Sequence, residues 1–207
     1  MTRSIGLIGC ATSNIGSVSH AVEFLGFTPV IIQQEAQIKH CSHLILPGVG
    51  SFYSGMQYLA NAKLLEPFIK AFHAGTPILG ICLGMQLFAQ KSDEFGEHIG
   101  LNLISNHVKK INQANTTLKL PHVGWNNVIH NEKSLLFKNI PQSVYFYFTH
   151  SFAYSNENTS YTTSTTQYHA TSIISSIEHE NLFGVQFHPE KSQQFGLTLL
   201  RNFLTLC

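Results

Sequence analysis

A cysteine between two glycines, where an apolar run gives way to a helical pattern, constrains this chain more than any other segment: Pro77-Ile78-Leu79-Gly80-Ile81-Cys82-Leu83-Gly84-Met85-Gln86. Ile78 to Ile81 read as a buried strand, and the residues after Cys82 read as a helix. Glycines at 80 and 84 let the backbone turn sharply and let helix and strand pack closely, which makes this a nucleophile elbow. The thiol of Cys82 is thereby presented at the strand end. In the first turn of a helix it meets the positive end of the macrodipole, which favours the thiolate. On these residues alone, a small buried core cysteine is the lesser alternative.

A second segment supplies what such a thiol needs. In Phe183-Gly184-Val185-Gln186-Phe187-His188-Pro189-Glu190-Lys191-Ser192 a histidine and a glutamate stand two positions apart at the end of another apolar strand, where period-two geometry aims both the same way. A neutral imidazole at His188 would shuttle the proton of Cys82 and of a leaving group, with Glu190 fixing its tautomer and stabilising the imidazolium. Separately, His188 reads as a hydrogen-bonded histidine and Glu190 as a solvated acid. Together with the elbow they form a Cys-His-Glu triad candidate.

Composition narrows the class. At 207 residues the chain is long enough for one sizeable core, and its 11% charged residues and net charge of +1 argue against a phosphate-binding nucleic-acid surface. Cys10, Cys41, Cys82 and Cys207 are scattered, which suits a reducing compartment better than a disulfide framework. His40-Cys41-Ser42-His43 is too crowded, and lacks the partner motif, for a metal site; no metal or cofactor is expected. Leu7-Ile8-Gly9-Cys10 looks like a lipoprotein processing site, but the apolar run before it is too short for an export signal. No run is long enough to span a membrane, so a cytoplasmic location is expected. Without export, the sequons at Asn115 and Asn158 carry no meaning. The abundance of histidine has no functional account.

Along the first half, short apolar runs alternate with helical patterns, as in a parallel sheet with covering helices. Ile5–Ile8, Pro29–Ile32, Leu44–Leu46 and Ile78–Ile81 read as strands; Ser17–Leu25, stopped by Gly26, and Leu64–Ala74 read as helices. From about Val108 the chain turns to β-branched and aromatic strands, including Val144–Phe148, Tyr161–Thr166 and Ile173–Ile177, and closes with a helix at Leu197–Leu206. Asn156–Ser164 reads as a loop or exposed hairpin. A single α/β domain over 1–207 is expected, with no internal repeat.

The elbow, the Gln-Phe-His-Pro-Glu run and their order resemble the class I (triad) glutamine amidotransferases. More closely, Leu46-Pro47-Gly48-Val49-Gly50-Ser51-Phe52, Leu120-Pro121-His122-Val123-Gly124-Trp125-Asn126 and Tyr145-Phe146-Tyr147-Phe148-Thr149-His150-Ser151 are similar to the glutaminase subunits of imidazole glycerol phosphate synthase. The motifs span nearly the whole chain. The elbow and the His-Pro-Glu segment identify only the superfamily, whereas Pro-Gly-Val-Gly with Pro-His-x-Gly-Trp-Asn is more particular.

The resemblance implies a flavodoxin-like fold, a central mostly parallel sheet flanked by helices with extra strands in the second half. It implies catalysis by Cys82, His188 and Glu190. Backbone N–H groups near Leu83, Val49 and Gly50 are oxyanion candidates, each such donor being worth on the order of 3 kcal/mol in a transition state. Gly48, Gln86, Glu94 and His150-Ser151-Phe152 match positions that hold glutamine. Phe152 stands where tyrosine is common, harmless if that contact is made by backbone. The segment from Gly9 to Asn14, and Asn102, also depart from the usual pattern. A chain this short has no room for a second catalytic domain, so its ammonia must be used elsewhere. The implied partner is a (β/α)₈-barrel cyclase subunit, contacted by Trp125, Asn126, Tyr147 and Lys191. With permissive glycines on both sides of Val49, its peptide could rest with a carbonyl toward Cys82 until the partner engages. A paralogous subunit feeding a different synthase, a free-standing glutamyl hydrolase and a catalytically silent regulatory subunit are the alternatives.

Overall fold

The computed structural model describes residues 3–9, 14–111 and 119–207. Cys10, most of the unusual Gly9–Asn14 segment and the Asn115 sequon therefore lie outside the described residues. The first half runs β1 (Ser4–Leu7), α1 (Ile15–Phe24), β2 (Thr28–Ile31), α2 (Glu35–Ile38), β3 (His43–Gly48), α3 (Phe52–Asn61), α4 (Leu65–His73), β4 (Ile78–Cys82) and α5 (Leu83–Leu87). Strands and helices alternate as the apolar pattern predicts, and β1 pairs parallel to both β2 and β3, and β3 to β4. β3 and β4 are buried along their whole length, as parallel strands covered on both faces must be.

The second half adds β5 (Ala89–Ser92), β6 (His98–Ile99), β7 (Ile104–Lys110), β8 (His122–His130), β9 (Val144–His150), β10 (Phe152–Tyr154), β11 (Thr162–Tyr168), β12 (Thr171–His179), β13 (Leu182–Val185) and α6 (Gln193–Leu206). β13 returns beside β4 in parallel, and β12, β11, β8 and β9 continue antiparallel, giving a nine-stranded sheet in the order β2-β1-β3-β4-β13-β12-β11-β8-β9. β10, β7, β5 and β6 form a separate four-stranded sheet. On one face of the large sheet, Val18, Ala21 and Val22 of α1 pack with Leu199, Leu200, Phe203 and Leu204 of α6. On the other face lie Phe52 and Leu59 of α3, Phe68 and Phe72 of α4 and Met85 and Leu87 of α5. Both sets follow helical spacing, and each fully buried side chain of this size contributes about 2–3 kcal/mol.

Several elements go beyond the sequence reading, among them α2, β5, β6, β7, β8 and β10, and two departures carry a physical reason. α3 was not anticipated, because Gly55 interrupts its pattern. That glycine serves packing, since a Cβ there would lie 3.0 Å from Leu87 Cδ1 of α5. The Ser51 hydroxyl caps the helix by accepting from the Ser54 N–H. Of the expected Asn156–Ser164 loop, Thr162 to Ser164 already belong to β11, paired with β12 and, at Ser164, with β8. Among the described residues no helix is long and apolar enough to cross a membrane, and no three His, Cys, Asp or Glu side chains cluster as metal ligands.

Candidate active site

Cys82 closes β4 with φ 54° and ψ −108°, one residue ahead of α5. A non-glycine residue at positive φ is strained, and such strain persists only where the surroundings over-determine it. The sharp turn therefore falls on Cys82 itself, not on the flanking glycines as expected, and the thiol sits just before the helix and not in its first turn. What the glycines provide is room. A Cβ on Gly84 would lie 1.7 Å from the Leu46 carbonyl oxygen of β3, and one on Gly80 would lie 2.6 Å from the Met85 nitrogen. α5 thus packs directly onto strand backbone, and that contact fixes the strained residue.

His188 and Glu190 also meet, though by another route than period-two strand geometry. β13 ends at Val185, and Pro189–Lys191 form a short 3₁₀ turn that brings the carboxylate back under the ring. His188 Nδ1 donates to Glu190 Oε1 at 2.8 Å, with both side chains almost wholly buried. This leaves Nε2 buried, with no hydrogen-bond partner of standard geometry among the described residues. Burial disfavours charge on the ring, but neighbouring Cys82 and the hydrogen-bonded Glu190 outweigh it, and the His188 pKa is raised to about 10. An imidazolium is therefore favoured beside the sulfur, where the sequence suggested a neutral ring. The thiol itself turns toward Gln186 Nε2 at 3.6 Å and the Thr149 carbonyl at 3.9 Å.

Cys82 opens into a cavity of about 210 Å³. It is lined by Val49, Gly50 and Leu83, by Thr149 to Phe152, and by Gln86 and Glu94. Of the residues expected around a substrate, only Gly48 lies off this cavity; a Cβ there would lie 2.8 Å from Leu83 Cβ, so it serves the approach of α5. Gly50, at φ +102°, occupies backbone space that suits glycine, so the orientation of the Val49–Gly50 peptide depends on it. Gln86 donates both amide hydrogens internally, to the Phe152 carbonyl at 2.8 Å and Gln186 Oε1 at 2.9 Å, which leaves its Oε1 to accept from a ligand. Glu94 Oε2 accepts from the Phe52 N–H at 2.6 Å and so also anchors the start of α3. The Phe152 carbonyl, not its side chain, makes the polar contacts, in keeping with a backbone role at that position.

The expected interface residues separate by face. Trp125 of β8 lies opposite Tyr147 of β9, their rings edge to face at 6.2 Å, and Lys191 Nζ sits 5.7 Å from the Tyr147 ring centre. Trp125 is 45% exposed and joins Val123 and Tyr145 in an outward apolar patch. Asn126 points to the other face, where its amide donates to the Gln167 carbonyl at 2.7 Å.

Four contributors were missed by the sequence reading. Asn14 donates to Glu190 Oε1 at 2.7 Å and is itself held by the Ser17 hydroxyl at 2.8 Å. Gln186 and Thr149 flank the thiol, and His122 contacts His150 behind the cavity wall. Gln186 could have been found from its place beside the His-Pro-Glu run; Asn14 carries no sequence signal, being remote from Glu190 along the chain.

Residues 7–207 match the family described as glutamine amidotransferase class-I. The chain is 35% identical over 211 residues to imidazole glycerol phosphate synthase subunit HisH 1 of Legionella pneumophila (strain Lens), covering 98% of this chain and 99% of that one. It is 41% identical over 198 residues to subunit HisH of Yersinia pseudotuberculosis, covering 96% of each. In fold it is similar to PurLQS from Thermotoga maritima (TM-score 0.77, 19% identity, 100% of this chain and 99% of that one). It is likewise similar to a glutamine amidotransferase from Thermotoga maritima (TM-score 0.72, 14% identity, 99% and 97%). Its thiol-bearing elbow, paired histidine and carboxylate, and end-to-end likeness to these relatives lead to one conclusion: the chain belongs to the class-I glutamine amidotransferases and, within them, to the family of imidazole glycerol phosphate synthase subunit HisH.

Proposed function

We propose that this chain, as one amidotransferase domain over 1–207, is the glutaminase subunit of an imidazole glycerol phosphate synthase. It hydrolyses glutamine to glutamate and ammonia and passes the ammonia to a cyclase subunit in histidine biosynthesis. The observation that carries the reading is the buried His188–Glu190 pair set against Cys82 at the floor of the cavity. An unactivated carboxamide needs a strong nucleophile, an oxyanion cradle and a proton for the departing nitrogen, since amide anion cannot leave. Cys82 as thiolate attacks the carbonyl carbon, and backbone N–H groups at Leu83 and in the Val49–Gly50 loop receive the oxyanion. The imidazolium of His188 protonates the leaving nitrogen, and ammonia departs. The ring, now neutral, takes a proton from water as its oxygen attacks the glutamyl thioester carbonyl; the C–S bond breaks, glutamate leaves, and the thiolate and imidazolium are restored. Glu190 keeps the ring oriented and stabilises its positive charge. Gln86 Oε1, Glu94 and the His150–Phe152 segment hold glutamine, with Gly50 shaping the wall and Gly48 admitting Leu83 behind it.

Free ammonia is mostly protonated at neutral pH and then no longer nucleophilic, so it must be used within a sealed assembly. The partner is a (β/α)₈-barrel cyclase subunit in a heterodimer, located in the cytoplasm. There the nitrogen enters a ribulosyl-formimino intermediate, giving imidazole glycerol phosphate and an aminoimidazole carboxamide ribotide; the chain is a hydrolase in its own step and part of a lyase in the complex. Trp125, Tyr147 and Lys191 supply the contact patch, with Asn126 bracing β8 behind it. The names of the relatives do not favour a paralogous subunit feeding a different synthase. The test is glutamate release by the pure chain, with the cyclase, and with cyclase plus its substrate, using Cys82→Ala as blank. Release that rises sharply in the complete mixture supports the reading. Indifference to the cyclase refutes it.

A further inference from the structure

Behind the cavity wall two imidazoles lie in direct hydrogen-bond contact, His122 Nδ1 to His150 Nε2 at 3.1 Å, both buried. Nothing in the hydrolysis of glutamine requires the first of them. Its surroundings fix a single arrangement of hydrogens. The Phe152 carbonyl only accepts, so His150 Nδ1, at 2.9 Å from it, carries a hydrogen. In a neutral ring His150 Nε2 is then an acceptor, and His122 Nδ1 must donate to it. His122 Nε2 is in turn an acceptor, facing Asn126 Nδ2 at 3.3 Å. The orientation of that amide is set from both ends. Its nitrogen donates to the Gln167 carbonyl, and its oxygen accepts from the Asn127 N–H at 2.9 Å.

The chain continues beyond Phe152. Gln86 Nε2 shares the Phe152 carbonyl and donates to Gln186 Oε1, which points the Gln186 amide nitrogen at the sulfur of Cys82. Every link has one compatible polarity from β8 to the nucleophile. Rings clamp the start of it: His122 is stacked between Tyr168 at 4.0 Å and Phe148 at 4.8 Å. We propose that His122 is a positioning residue of this site: with His150 it fixes the Phe152 carbonyl, which sets Gln86 and Gln186 and so the direction of the Cys82 thiol. This rests on the glutaminase reading for its purpose, although its geometry does not depend on glutamine.

This arrangement of hydrogen bonds requires both rings to stay uncharged, and their burial favours that. Burial lowers the His122 pKa to about 4, with His169 across the β11–β12 turn adding repulsion. Burial lowers that of His150 to about 3 against the opposing Phe152 bond, with repulsion from His122 and His188 acting in the same sense as burial. β8, which carries Trp125 outward and His122 inward, is thus joined to the Cys82 sulfur by hydrogen bonds that pass through the Phe152 main-chain carbonyl.

Two measurements test it. In the ¹⁵N-histidine-labelled full chain, His122 and His150 should both appear as neutral Nδ1–H tautomers between pH 6 and 8, the reverse of the form free imidazole side chains prefer in water. An Nε2–H tautomer at either ring overturns the proposal. Alkylation of Cys82 by iodoacetamide, quantified on the Cys82 peptide, should change at least about threefold in His122→Phe. In the complete complex that variant should lose about tenfold in kcat, a readout that mere loss of stability would not move at temperatures where it is folded. His122→Asn keeps a donor at the δ position and should restore both. A folded His122→Phe chain with wild-type alkylation and kcat overturns the proposal, and if it does not fold the tautomers of the wild-type chain decide. Absence of glutamine hydrolysis by the wild-type complex would instead refute the function while leaving the tautomer and alkylation results to stand.

Discussion

Gly84→Ala tests how the nucleophile is held. The added methyl would lie 1.7 Å from the Leu46 carbonyl oxygen, where real Cβ contacts do not come under 3.0 Å. That oxygen belongs to β3, a buried strand paired on both sides, and cannot yield. The alternative is for α5 to retreat by about 1 Å or more, taking Leu83 and the strained Cys82 with it. Overpacking of this kind costs about 1–3 kcal/mol, and the better helix propensity of alanine returns at most about 1. A net loss of about 2 kcal/mol lowers Tm by about 4–8 °C in a chain of this size. Displacing a reacting atom by about 1 Å costs roughly 100-fold in turnover, far more than the loss of stability would at 25 °C. A thermal melt and glutamate release in the complete complex measure the two effects separately. Gly16→Ala is the control: among the described residues, nothing outside the local helix backbone would lie within 4 Å of its Cβ in α1, so stability should hold or rise by up to about 1 kcal/mol with activity unchanged. A Gly84→Ala chain with wild-type Tm and turnover would refute the argument that close packing of α5 on β3 holds the thiol in place.

Asn14→Ala removes a hydrogen bond to the Glu190 carboxylate and should lower kcat about tenfold with KM little changed, as steady-state kinetics in the complex would report. Glu190→Gln should cost about 10²–10⁴-fold in kcat by weakening the hold on the His188 ring while the fold melts normally. Trp125→Ala should weaken association with the cyclase by roughly 2 kcal/mol, about 30-fold, without lowering Tm; a lower Tm with unchanged partner affinity would make Trp125 a core residue. Because the folded-state pKa values of His122 and His150 lie near 4 and 3, below the unfolded value, the unfolded chain takes up more protons as pH falls through about 6.5. Their contribution is complete above that pH, and stability should drop by roughly 2–4 kcal/mol between pH 7 and pH 5 in urea titrations, about half of it absent in His122→Asn.

How the site was legible differs residue by residue. Cys82, His188 and Glu190 could be named from the chain because each lies in a local motif whose chemistry depends on near neighbours, and the alternating apolar runs of the first half gave the parallel sheet for the same reason. Local pattern failed where packing overrode it. Gly55 hides α3 from the pattern, since its value lies in admitting Leu87, and strand alternation predicts a His188–Glu190 pair that a 3₁₀ turn in fact makes. The sequence by itself determined the fold class and the family, and it named the groups proposed to react, because elbow, strand and turn are written in contiguous residues. Only the tertiary structure decided that the strain falls on Cys82, that Asn14 supports Glu190, and that His122 reaches the sulfur through Phe152, Gln86 and Gln186. Those contacts join residues far apart along the chain, and a hydrogen bond has direction and length only once the sheet has brought its two ends together.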